Sequence, residues 1–396
     1  MDSIYSRLTP MRAAEITRDL VRIPSVNPPG AEREFAEYLA AKMKKLGMKV
    51  ELLDVKPGRP NVVGTLQGAN SNPSLMFNGH LDVVPPGDSS SWSFEPFEGV
   101  IEKERVYGRG SADMKGGIAA MLMAVEALKE NAVSLNGSLL IAGVMDEESG
   151  GLGTQMLMDK GYRTDMAIVG EPTNLEVVIA HKGNVWLEIT TTGKAVHSST
   201  VRTKSPKVGL NAIYKMSKIT LAFEKYLQEL EKRSNNLVGN PTISVGTIHG
   251  GTKTNVVPDT CTITVDRRLL PDESPDQGVA EIDAILSKLR SEDPDIQYES
   301  KVFQQKSGVQ IDRNERIVKL ACEAVKSVRG VDPEITGLPA GTDMTYLIRM
   351  GKIPTIILGP GRLAQAHNID EYVESTQVAD AAKIYLWLIL KILGTR

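Results

Sequence analysis

The chain has 396 residues, 41% hydrophobic and 24% charged, with a formal net charge of −3; that is long enough for two domains and a large core, and too near neutral to point to nucleic acid or an anionic membrane surface. The two cysteines, Cys261 and Cys322, cannot build a disulfide framework and read as buried thiols. No apolar run is long enough to span a bilayer, and the first residues lead into a charged helix rather than an apolar signal region, so the expected compartment is the cytoplasm.

The first predicted helix has Ala13, Ile16, Leu20 and Val21 on one face and stops before Pro24. The second carries Phe35, Leu39, Met43 and Leu46, with Gly47 as its C-cap. Strands follow at 49–53, 61–66 and 74–77, then a helix over 114–130 and a buried strand at 138–144. Strands alternating with helices predict an α/β fold with a largely parallel or mixed sheet covered on both faces. Near Lys182 the pattern changes. Val185, Leu187 and Ile189 alternate with Trp186, Glu188 and Thr190, as in a half-exposed strand. A long helix over 207–231, strands at 242–248 and 260–265, a helix over 278–290 and a strand at 296–302 complete a β-α-β-β-α-β order. That is the order of a ferredoxin-like α+β sandwich. The α/β pattern then resumes with a helix at 315–328, a strand at 354–358 and a final helix over 376–393. The predicted division is a first domain at 1–182, completed by 303–396, with 183–302 inserted as a lid.

Acidic residues and histidines cluster just after apolar runs: Gly79-His80-Leu81-Asp82, Ala112-Asp113-Met114, Asp146-Glu147-Glu148, Gly170-Glu171-Pro172 and Gln365-Ala366-His367. Sites in open α/β sheets form outside the carboxyl ends of the strands, so these groups are expected to converge. Imidazole with carboxylate and no thiolate suits zinc, cobalt or manganese. A lone Asp-Glu-Glu is usually a solvated turn, and a lone histidine after a strand is usually a polar strand end. It is the set together that argues for a metallohydrolase. His80 and Asp82 point the same way if the segment is extended, so Asp82 is expected to accept the second ring N–H of His80 and fix its tautomer. Glu147, beside Glu148 but facing elsewhere in an extended segment, is the expected general base.

These motifs resemble the M20 metallopeptidase family, which includes acetylornithine deacetylase, succinyl-diaminopimelate desuccinylase, aminoacylase-1 and glutamate carboxypeptidase. The resemblance rests on His80-Leu81-Asp82, on 108–116 (Gly-Arg-Gly-Ser-Ala-Asp-Met-Lys-Gly) and on Asp146-Glu147-Glu148. It extends through Gly193-Lys194-Ala195-Val196-His197-Ser198, Asn255-Val256-Val257-Pro258 and the stretch from Gly359 to Tyr372. It implies a zinc-peptidase-like catalytic domain with a lid that also dimerises. It implies two divalent metal ions, one held by His80 and Glu171 and the other by Glu148 and His367, with Asp113 bridging. A hydroxide between the metals would attack, with Glu147 as base. The bond after the bridging aspartate is often cis in the family.

In the lid, the resemblance gives His197 a role in stabilising the oxyanion in the partner subunit's site. Arg268 resembles an arginine that grips the substrate carboxylate; alternation from Val265 sends Arg267 to the opposite face. Asn255 and the Gly341-Thr342 backbone are further expected substrate contacts. His249 reads as structural or exposed, the role of His181 is open, and Gly150-Gly151-Leu152-Gly153 reads as a turn into a helix rather than a phosphate loop. The expected activity is removal of the acyl group from an N-acyl amino acid, acetylornithine first. Alternatives are desuccinylation, dipeptidase or carboxypeptidase action, and a non-catalytic metal-binding dimerisation module. The expected partners are that small substrate or a short peptide, and a second copy of the chain.

Overall fold

A computed structural model describes residues 2–396. The chain divides into two compact units. The first is built from the chain up to Ile179, from Ile311–Thr336 and from Thr342–Arg396; the second is Ala180–Gln310 with Gly337–Gly341.

In the first unit the sheet runs, in spatial order, Lys49–Lys56, Arg59–Leu66, Ser138–Val144, Ser74–His80, Met166–Val169 and Thr355–Ile357, followed by the strand that begins at Val177. The four strands from Ser138–Val144 to Thr355–Ile357 are mutually parallel. Arg59–Leu66 extends the sheet antiparallel to them, and Lys49–Lys56, antiparallel in turn to Arg59–Leu66, forms the edge. His80 lies level with Val144, and both Asn78 and Ile357 lie level with Val169. The carboxyl ends of the parallel strands therefore finish along one edge. Ser74–His80 is buried along its whole length, which is why it reads as a continuous apolar run rather than an alternating one. The helices Gly116–Glu130 and Ser375–Leu393 are buried over most of their residues. The ring of Tyr385 packs on Phe77 with centroids 4.7 Å apart, and its hydroxyl donates to the Leu358 carbonyl.

Two predicted features of this unit differ. The helix expected from residue 114 starts at Gly116, because Asp113 and Met114 have non-helical backbone angles and the bond between them is cis. A small antiparallel sheet of Val100–Glu102, Arg105–Tyr107 and Tyr372–Glu374 was not expected from sequence. Its strands are three residues long, too short to show a period.

The second unit has the strands Gly183–Thr192, Thr242–Gly250, Thr260–Leu269 and Gln297–Lys306, with helices Ala212–Leu230 and Pro275–Glu292. The sheet is antiparallel throughout, with the first strand between the third and fourth and the second at an edge. That is the ferredoxin-like arrangement. Val185, Leu187 and Ile189 pack with Met216, Phe223, Ile282 and Leu286 from the two helices. The first helix starts at Ala212 rather than 207, capped by the Asn211 side chain accepting from the Tyr214 N–H. Residues before it pair back onto the chain at Lys194 and Arg202. Cys261 is buried as expected, but Cys322 is only half-buried. Among the described residues no helix is long and apolar enough to cross a membrane.

Candidate active site

The strand edge described above brings the predicted ligand residues together. The His80 Nε2 is 2.8 Å from Asp113 Oδ1 and 3.7 Å from Glu171 Oε1. The His367 Nε2 is 3.3 Å from Asp113 Oδ2 and 3.1 Å from Glu148 Oε2. Asp113 thus offers one carboxylate oxygen to each imidazole. Donor atoms of His80, Asp113 and Glu148 all lie within 4.8 Å of one another, as do those of His80, Glu147 and Glu171. His80 comes from the end of its own strand, and Glu171 lies two residues past Met166–Val169. The floor here is tight: a Cβ on Gly117 or Gly359 would stand 2.2 or 2.3 Å from the Gly170 carbonyl oxygen, so only glycine lets these segments meet.

Asp82 does not act as expected. The Nδ1 of His80 lies 2.8 Å from the backbone carbonyl of Asp82, which fixes the ring, while the nearer carboxylate oxygen is 3.9 Å away. The carboxylate is turned to other donors: the backbone N–H of Glu147 at 3.1 Å, that of Glu148 at 3.2 Å and the Asn27 amide at 2.8 Å. The reason is that residues 146–151 form a turn, not the extended segment assumed from sequence. Asp146 sits at φ 72° and its carbonyl accepts from the N–H groups of Gly150 and Gly151. The N–H groups of Glu147 and Glu148 at the head of that turn need an acceptor, and Asp82 supplies it. Arg59, paired with Glu32, reaches Asp146 at 3.1 Å. Sequence reading missed Asn27, Arg59 and Glu32; nothing in their local spacing marks them.

The cluster is rich in carboxylates. Burial pushes the Glu148 carboxyl up to about 7, helped by the Asp113 charge, and likewise raises Glu171 well above the usual carboxylate range. Burial also opposes ionisation of Asp113, but hydrogen bonds to His367 and His80 outweigh it and hold Asp113 far below that range. Those bonds, to Asp113 and then Glu148, lift His367 to about 10. The Glu148 Oε1 is buried with no hydrogen-bond partner among the described residues. Three buried carboxylates that hold or share protons with two imidazoles, one of them with an orphaned oxygen, are what a divalent cation would neutralise. The donor set fits such an ion.

The remaining predicted residues belong mostly to the second unit. His197 and Asn255 are both exposed; the Asn255 Nδ2 is 3.5 Å from His197 Nε2, and the other ring nitrogen is 2.7 Å from the Ser199 hydroxyl. Arg267 is fully buried and pairs with Glu273 and Glu281, each at 3.2 Å. Arg268, on the opposite face, is half-exposed and is held by Asp266 at 2.9 Å. Gly341 is in the second unit and Thr342 in the first, where the Thr342 hydroxyl accepts from the Met344 N–H at 3.3 Å. His181 is buried, its Nδ1 2.8 Å from the Lys182 carbonyl, and His249 is exposed on the edge strand.

A cation-seeking set of imidazoles and carboxylates at the ends of parallel strands defines the class of metal-dependent hydrolases. Residues 76–391 match the model of peptidase family M20/M25/M40, and the chain belongs to that family. It is therefore an enzyme of the metallopeptidase and amidohydrolase type, acting on amide bonds. It is 30% identical over 401 residues to the N-formyl-4-amino-5-aminomethyl-2-methylpyrimidine deformylase of Bacillus subtilis, covering 95% of this chain and 93% of that protein. It is 31% identical over 352 residues to the acetylornithine deacetylase of Vibrio campbellii, covering 85% of each. Among solved structures, the M20 family metallo-carboxypeptidase of Sulfolobus solfataricus superposes with a TM-score of 0.80. It covers 96% of this chain and 99% of that one at 22% identity, a likeness of fold.

Proposed function

We propose that this enzyme removes a small acyl group from an N-acylated amine that carries a carboxylate, an N-acyl amino acid such as acetylornithine. The observation that carries the reading is Glu147: it stands within reach of His80 and Glu171, yet the His80–Asp113–Glu148–His367 contacts form without it. In this reading His80 and Glu171 hold one divalent cation, Glu148 and His367 a second, and Asp113 serves both. The ions, zinc first and cobalt or manganese as alternatives, supply Lewis acidity and lower the pKa of a nearby water. Glu147 accepts the proton from the attacking water and returns it to the departing nitrogen, so that amide and water become carboxylic acid and amine. Asp82 holds the backbone of Glu147 and Glu148 while this happens. The acyl choice is supported by the two relatives named for deformylation and deacetylation.

A panel of N-formyl, N-acetyl and N-succinyl amino acids and dipeptides, assayed with defined metal loading, tests the reading. Release of free amine and the small acid from the acylated amino acids is expected; turnover of dipeptides alone would overturn it. Arg268 is the proposed carboxylate grip, because Arg267 is committed to Glu273 and Glu281. Arg268→Ala is expected to raise KM roughly tenfold or more and to change kcat less, as loss of a ground-state contact does. The wild type should also discriminate against substrates lacking the carboxylate. Equal kinetics with and without that group would remove Arg268 from the role.

We further propose a cytoplasmic homodimer through the second unit. Thr242–Gly250 is an edge strand, largely exposed, with Ile248 54% exposed, and Tyr214 and Leu221 are 69% and 56% exposed on the neighbouring helix. Exposed edges of this kind tend to be covered. His197, exposed beside Asn255, is the residue proposed to serve the partner's site. Mixing Glu147→Ala chains with His197→Ala chains, both shown to be folded and to exchange subunits, is expected to restore activity above either parent. Activity that stays at the parental level, or a monomer at assay concentration, would refute it.

A further inference from the structure

His367 stands on an exposed loop, and its own neighbours do little to fix its imidazole. Residues 367–369 are exposed, and His367 and Asp370 have φ of 63° and 56°. The chain is buried again at Glu371, 1% exposed. There one carboxylate gathers four donors. Its Oε1 accepts from the backbone N–H of Ala112 at 2.9 Å and of Asp113 at 3.1 Å. Its Oε2 accepts from the Gly110 N–H at 3.0 Å and the Arg109 guanidinium at 2.5 Å. Arg109 also donates to the Asn368 carbonyl at 3.3 Å, and the Glu371 carbonyl accepts from the Gly108 N–H at 2.8 Å. Next to it, Asp370 accepts from the N–H and hydroxyl of Ser93, both at 2.7 Å.

Two loops 258 residues apart in sequence are joined by these bonds. One carries Asp113, whose own N–H is among the donors. The other carries His367, four residues before Glu371. We propose that Glu371 is a positioning residue: it ties the Asp113 loop to the His367 loop and thereby sets the spacing of Asp113, Glu148 and His367 for a divalent cation. The inference rests on the two-cation reading above. Its physical basis is that charge-assisted bonds to a buried carboxylate are strong, and that releasing them would leave buried N–H groups unsatisfied. A tie of this kind keeps donor atoms close to their working geometry. His80 and Glu171 stand just past strand ends and are not held by it, whereas His367 is, so although Asp113 serves both ions the larger effect should fall on the cation held with Glu148 and His367.

The test is Glu371→Gln, which keeps the shape but turns an amide NH₂ toward N–H donors on one side. Metal-free protein is titrated with cobalt(II), and the ions bound per chain are measured by equilibrium dialysis. Wild type is expected to bind two. The variant should bind the first with a smaller loss and the second about tenfold or more weakly, the size typical of losing a partner behind a metal ligand. His367→Ala should lose the same ion, and excess cobalt should recover turnover in Glu371→Gln. A variant that melts earlier yet binds both ions with wild-type affinity would show a purely structural role and overturn the proposal. Wild type that binds only one ion would sink the two-cation reading and this inference with it. Amide exchange in metal-free wild type gives a check that needs no variant. The N–H groups of Ala112 and Asp113 should exchange slowly, and rapid exchange at both would overturn the tie.

Discussion

Glu147→Ala is expected to lower turnover by about three orders of magnitude, within the usual range for loss of a general base, while bound metal and KM stay close to wild type. That corresponds to roughly 4 kcal/mol on the barrier. The expectation follows from the way the turn is built. The Glu147 backbone N–H is held by Asp82 and does not depend on the Glu147 side chain. Asp146 is braced separately by Arg59. Alanine should therefore leave Glu148 where it is and remove the proton acceptor. Glu147→Gln, with similar shape and no basic oxygen, should be equally slow. Unchanged turnover in both variants would remove Glu147 as base. Loss of a metal ion from Glu147→Ala would instead make it a ligand beside His80 and Glu171, a grouping its position allows.

Much of this architecture was legible because it depends on patterns the chain repeats. Parallel strands buried on both faces read as apolar runs, and the His80, Glu148 and Glu171 motifs follow such runs, so their convergence could be expected before any coordinates. The second unit was legible for a related reason: alternation at Val185, Leu187 and Ile189 and two amphipathic helices give a β-α-β-β-α-β order with few possible topologies. What could not be read was any feature set by a distant backbone donor. Asp82 was assigned to the His80 ring because two residues in a strand share a face. The structure turns its carboxylate to Glu147 and Glu148, 65 and 66 residues on, because their turn exposes N–H groups there. Glu371 lay within a motif but had no role, since its donors at 110, 112 and 113 are known only once the two loops meet. Arg267 and Arg268 were separable by alternation, but the partners of Arg267, Glu273 and Glu281, come from a loop and a helix that periodicity does not connect to it. The return of Gly337–Gly341 to the second unit has no local signature either.

Removal of divalent cations is expected to abolish hydrolysis and to lower the melting temperature, with both restored as about two equivalents of zinc or cobalt are added back. The argument comes from the charge of the cluster. Asp113, Glu148 and Glu171 each bring a buried carboxylate to within a few ångströms of His80. Without cations, the chain can relieve their repulsion only by holding protons on the carboxylates or on His80 and His367. Bound cations do this better and bind the folded state alone, so a hundredfold excess of free ion over its Kd contributes about 2.7 kcal/mol of stability. Activity and stability should therefore be lost together on chelation, which a solvent-exposed, adventitious site would not produce. The order of recovery carries the finer information. If Asp113 serves two ions, the first equivalent should restore most of the stability and the second most of the turnover, because Glu148 and His367 complete the side of the cluster that the first ion leaves open. Full turnover at one equivalent, with no gain from a second, would overturn the bridged pair and reduce the site to a single ion. Retention of activity after exhaustive chelation, with metal content verified as nil, would remove the metal from the mechanism altogether.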